Sequence, residues 1–163
     1  MRVLLFTGKG GAGTTTTAAA TAAVAAARGR KTLALSTGPQ LADAFGVPLR
    51  PEPAEIDTGL YGVRVDGQTA VERRWDDLRP WVRAALARAD GEPVQAEELP
   101  ALPGAAEVVA LLELRAQVDS GRWDVVVVDA GPAPEALRLL ALPDALRWYL
   151  DRVFPAHHRA LRA

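Results

Sequence analysis

The sequence predicts an α/β domain, doubly wound around a mostly parallel sheet, and three observations carry that expectation. Arg2 to Thr7 (RVLLFT) is a short apolar run closed by glycines and followed by a helix-like segment, Thr14 to Arg28. Lys31 to Thr37 (KTLALST) then reads as a second buried strand, and Asp124 to Ala130 (DVVVVDA) is an unbroken valine run of the kind that fills the centre of a parallel sheet. Strand, helix and strand in that order need a crossover connection, which sets the two strands parallel.

The first helix is almost all alanine between positions 18 and 27, with Gly29 where a helix commonly stops. Small side chains let its axis lie close to the sheet. The run is too short to span a bilayer, and Thr21 interrupts it. Gly38 to Gly59 contains Pro39, Pro48, Pro51 and Pro53 and is expected to be irregular apart from a turn of helix around Leu41 to Phe45. Leu60 to Asp66 (LYGVRVD) alternates apolar and polar residues as a half-exposed strand does.

A helical insert is expected over about 69–120. In its first part Val71, Trp75, Leu78, Val82 and Leu86 share one face, and Pro80 bends the helix. Gly104 to Ser120 forms a second helix, apolar over most of its circumference. Two readings of these faces stay open: they cover the sheet, or part of them forms a groove for a hydrophobic client. Beyond the valine strand, Gly131 to Glu135 is a proline-containing loop, and Glu135 to Phe154 is a helix with a break at Pro143. About four strands result, with the insert between the third and fourth.

With 163 residues, 49% of them hydrophobic, the chain can bury one sizeable core and is too short for two, so a single domain over 1–163 is expected. A net charge of -1 gives no positive field for nucleic acid or anionic membranes. A small ligand or a protein partner fits better. The chain has no cysteine, which excludes disulfides, thiolate metal sites and capture of soft metalloids by sulfur. Its start carries no basic segment leading into a long apolar stretch, so a cytoplasmic location without membrane insertion is expected. His157 and His158 have no carboxylate or cysteine at ligand spacing and read as a solvated tail.

The chemistry sits in "FTGKGGAGTTTT", Phe6 to Thr17. The phosphate-loop pattern G-x-x-x-x-G-K-[ST] fits Gly8 to Thr15 with every glycine in register, but Thr14 stands where the lysine belongs. Glycines at 8, 10, 11 and 13 let the backbone curl around a phosphate at a helix N-terminus, with no particular side chain needed. Gly8, Lys9, Gly10, Gly11, Ala12, Gly13, Thr14, Thr15 and Thr16 are therefore the candidate nucleotide-binding residues. Thr15 supplies the hydroxyl available to Mg2+, and Asp129, at the end of the valine strand, stands where such folds hold the metal through water. The fold expected is thus of P-loop NTPase type.

The loop "GKGGAGTTTTAAATAA" resembles the deviant phosphate loop of the ArsA family, which includes the arsenite-pump ATPase and the ATPase that delivers tail-anchored membrane proteins, and which belongs with the MinD and ParA type NTPases. "STGPQLADAFG" (36–46) is similar to the family's switch I, "ELPALPGAAEVVALLELR" (98–115) to its helical insert, and "VVVVDAGPAPEALRLLALPDALRWYL" (125–150) to its switch II. The resemblance covers nearly the whole chain.

It implies a role for each position. Lys9 matches the signature lysine that reaches across a dimer to the partner's nucleotide. Thr14 replaces the lysine that contacts the β and γ phosphates, leaving a neutral hydroxyl. Gly38 stands in place of the switch I aspartate that orients the attacking water, in a segment about two residues shorter than the family's. Switch II keeps Asp129 and one proline, and its hinge glycine has become Pro134.

The resemblance therefore implies an ATP- and Mg2+-binding domain with weak or no intrinsic hydrolysis, paired as a dimer with itself or with an active ArsA-family homologue. The alternatives are a slow but genuine ATPase, in which Lys9 or an arginine replaces the missing charge, and a non-binding scaffold or remnant. Family members also run well beyond switch II, so the C-terminal part of the family domain is expected to be absent. One side of the sheet is then left as an edge, and any nucleotide is held mainly through its phosphates. The missing cysteines disfavour an arsenite-pump role.

Overall fold

The structure is a computed structural model that describes residues 1–65 and 105–153. Its elements follow in the order β1 (Arg2–Gly8), α1 (Thr14–Ala27), β2 (Thr32–Ser36), α2 (Gln40–Phe45), β3 (Ala54–Asp57), β4 (Leu60–Arg64), α3 (Ala105–Asp119), β5 (Val125–Pro132) and α4 (Ala133–Val153). The strands form one five-stranded sheet ordered β1-β5-β2-β4-β3. Pairs β1/β5, β5/β2 and β2/β4 are parallel, and only the edge pair β3/β4 is antiparallel. This is the doubly wound, mostly parallel α/β fold expected of a P-loop NTPase.

The core divides into two layers because side chains alternate across each strand. On one face Ala18, Ala19 and Ala22 of α1 pack with Ala34, Leu41, Leu60 and Val127. The alanines bring α1 against the sheet and so bring the loop before it close to the strand ends. On the other face Leu33, Leu35, Val63, Val126 and Val128 pack with Val109 and Ala110 of α3 and Ala136 and Leu139 of α4. Where α3 is described, then, its apolar residues cover the sheet.

Three expectations are corrected. Gly38 to Gly59 is not irregular apart from α2: Ala54–Asp57 forms β3, paired with β4 through Ala54↔Gly62 and Glu55↔Tyr61. The loop expected over Gly131 to Glu135 is absent, because β5 runs on to Pro132 and α4 starts at Ala133. Finally, α4 continues through Pro143 without the expected break; losing one N–H leaves the hydrogen-bonded turns on both sides to carry a 21-residue helix. The helix face from Val71 to Leu86 and the two histidines lie outside the described residues. In the described sheet β1 is an edge strand, with Val3 and Leu4 exposed.

Candidate functional site

At the C-terminal ends of the parallel strands lies an open cleft of about 720 Å³. Gly8, Lys9, Gly10, Gly11, Gly13, Thr14, Thr15 and Thr16 form one wall, and Asp129, Gly131, Pro132 and the α2 residues Gln40, Asp43 and Ala44 complete it. Each predicted site residue except Ala12 lines it. The Ala12 N–H is spent inside the loop, on the Lys9 carbonyl at 3.0 Å.

Glycine decides the loop's shape at two points. Gly11 and Gly13 have φ of 82° and 76°, a left-handed backbone that other residues adopt only under strain. Gly13 is also the N-cap of α1, and no side chain caps the helix. The first-turn amides therefore remain available to an anion. A Cβ added at Gly10, Gly11 or Gly13 would meet nothing within 4 Å, so no other part of the described chain crowds the loop at these positions.

Thr14 lies against the end of β1: a Cβ built on Gly8 would come within 2.8 Å of its Oγ1. The position that the pattern gives to a lysine thus holds a short hydroxyl close to the backbone. Thr17 is a helix residue, its Oγ1 donating to the Gly13 carbonyl at 2.9 Å.

Asp129 is 2% exposed and lies within β5, where the valine run stops, three residues before the strand ends. Its Oδ1 accepts from the Gly131 N–H at 3.4 Å, a long bond that leaves acceptor capacity unused. Such a buried carboxylate, lining the same cleft as Thr15, fits Mg2+, which keeps several waters and takes its other oxygens from phosphates. Among the described residues no three acidic, histidine or cysteine side chains cluster to form an all-protein metal cage.

Sequence reasoning missed Gln40, Asp43, Ala44, Gly131 and Pro132. They come to the cleft through topology: β2 and β5 are paired with Ser36 opposite Asp129, so the segments leaving both strands enter the same space. Thr7 ties β1 to this junction, its Oγ1 donating to the Gly131 carbonyl at 3.0 Å.

A mostly parallel sheet with a glycine loop, an uncapped helix N-terminus and an aspartate closing the apolar run of a central strand defines the class of phosphate-loop nucleotide-binding domains. Within that class the chain belongs to the ArsA family of anion-transporting ATPases, whose pattern it matches over residues 1–162. It is 37% identical over 155 residues to a putative arsenical pump-driving ATPase of Chlorobaculum tepidum, covering 94% of this chain and 38% of that protein. It is 40% identical to an uncharacterised protein of Streptomyces coelicolor, over all of this chain and 42% of that one. An ATPase ASNA1 homolog of Babesia bovis is 33% identical over 88% of this chain and 39% of its own length. The chain therefore spans about two fifths of the curated relatives it matches.

Proposed function

We propose that this chain is an ATP-binding ArsA-type domain with weak or no intrinsic hydrolysis, acting in the cytoplasm as the regulatory or partner subunit of an ATPase in membrane-protein targeting or transport. The carrying observation is the hydroxyl of Thr14 in the loop position where a lysine would meet the terminal phosphates. The backbone cradle of residues 8–16 holds the phosphates. Thr15 and Asp129 hold Mg2+, whose charge, when bound, offsets that of the β and γ phosphates. Removing one such electrostatic contact typically lowers a rate by about 10²- to 10³-fold.

The test has two parts. A fluorescent ATP analogue titrated into the chain should bind saturably and only with Mg2+; no binding would leave the scaffold reading. Thr14→Lys should then raise hydrolysis by about 10²-fold or more.

A slow but genuine ATPase is the second reading, and the presence of Lys9 in the same cleft favours it. On that reading another cation already supplies the charge, and Thr14→Lys changes little. In a dimer with an active homologue, Lys9 reaches the partner's nucleotide. Lys9→Ala in this chain should then lower the ATPase rate of the mixed assembly, and an unchanged rate would remove that role.

A further inference from the structure

Thr7 is not among the residues that line the cleft, yet it holds the residue whose N–H meets the Asp129 carboxylate. The pairing of β1 with β5 runs regularly to Phe6↔Asp129 and resumes at Gly8↔Pro132, so Thr7 alone faces both Ala130 and Gly131. One extra residue in a strand turns its backbone aside and re-aims the side chains next to it. Here the turn falls at Gly131, whose φ of 68° is left-handed.

Gly131 is held at both ends of its own backbone. Its N–H donates to Asp129 Oδ1 at 3.4 Å, and its carbonyl accepts from Thr7 Oγ1 at 3.0 Å. The shorter bond supports the longer one, because it fixes the turn that sets the N–H against the carboxylate. The last torsion of an aspartate is broad, and a bond to one oxygen narrows where the other can stand. Thr7 also directly precedes Gly8, the first residue of the phosphate loop. Its hydroxyl therefore sets the carboxylate relative to the loop, through a single residue.

A cation shared between the loop side and the Asp129 side of the cleft is sensitive to that spacing. Mg2+ demands near-ideal octahedral geometry, whereas the larger Ca2+ accepts more oxygens in flexible arrangements. Resting on the ATP- and Mg2+-binding reading above, we infer that Thr7 is the positioning residue for Asp129 and thereby fits the cleft to Mg2+ rather than to a larger divalent cation. Its hydroxyl is spent on Gly131, so it acts through that residue.

The test uses the full chain and a fluorescent non-hydrolysable ATP analogue, titrated with saturating Mg2+ and separately with saturating Ca2+. Thr7→Val keeps the branched shape of the side chain and removes the hydroxyl. It should weaken binding with Mg2+ by about three- to tenfold, the loss of one hydrogen bond, and leave binding with Ca2+ within about twofold. Thr7→Ser, which keeps the hydroxyl, should retain the Mg2+ affinity to within about twofold. Equal losses with both metals would mean that the bond only supports the shape of the loop. A serine variant as weak as the valine one would mean that the hydroxyl is not what acts. Either result, or an unchanged Mg2+ affinity in Thr7→Val, would overturn the assignment and leave ATP binding intact. Failure of the unsubstituted chain to bind the analogue with Mg2+ would overturn both.

Discussion

The two ends of the sheet are built from opposite materials. At the N-terminal ends of the strands, Trp123 is 3% exposed, with its ring 5.0 Å from Tyr61 and its Nε1 donating to Gln117 at 3.2 Å. Lys31 lies over both rings, 5.4 Å from Tyr61 and 5.5 Å from Trp123, and Arg122 lies 4.9 Å from Trp123. Asp124 laces three strand starts together. Its carboxylate accepts from the Lys31 N–H at 2.9 Å, its N–H donates to the Lys31 carbonyl at 2.8 Å, and its own carbonyl accepts from Arg2 at 2.9 Å. At the C-terminal ends stand glycines, threonines and one buried carboxylate around open space. One end holds the fold together and leaves the other free to be unfilled.

Substitutions should separate the two ends by what they damage. The largest effect belongs to Trp123→Ala, expected to cost about 3–5 kcal/mol of stability in urea unfolding while the folded fraction binds nucleotide normally. A smaller loss would mean that the aromatic floor contributes less than its burial implies. Asp129→Asn should act in the opposite sense. It leaves the ligand-free stability unchanged or slightly higher, because a buried charge is removed. It should also abolish the stabilisation that ATP and Mg2+ confer, about 2.7 kcal/mol at a ligand concentration a hundred times Kd. Thermal shifts with and without ligand read both quantities.

Gly13→Ala should cost about 1–2 kcal/mol through its left-handed φ alone, since no atom crowds the added methyl. Its loss of phosphate affinity should exceed that stability cost, and equal losses would show that the loop shape is not what binds. Smallest is Lys31→Met, which removes a cation from an exposed position above two rings for about 0.5–1 kcal/mol and should leave binding untouched.

The same contrast governs what could be read from the chain. Strands β2 and β5 were legible because buried strands must be apolar, β1 as an apolar run closed by glycines, β4 by its alternation, and the glycine loop because its spacing serves only a few purposes. Residues Ala54–Asp57 alternate half-buried and exposed beside prolines, and they become a strand only by pairing with β4. Burial, not local preference, decides such an edge. Pro143 misled because its missing N–H is a local defect, and a long helix outlasts one. In the cleft, the positions of Thr14, Thr15 and Asp129 were legible from the motif. Gln40 and Asp43 were not, because the register Ser36↔Asp129 that brings α2 to the cleft is a property of strand pairing.

The bond from Thr7 to Gly131 joins residues 124 positions apart, and among the described residues β1 has no sheet neighbour other than β5. During synthesis the strand that carries the phosphate loop is made before β5 and, in the described sheet, has nothing to pair with until the valine strand leaves the ribosome. Contacts that distant close slowly, because the intervening chain must be ordered before they form. The loop is therefore translated well before the contact that gives it its final shape can form. The cradle is finished only after the chain as far as Gly131 has emerged.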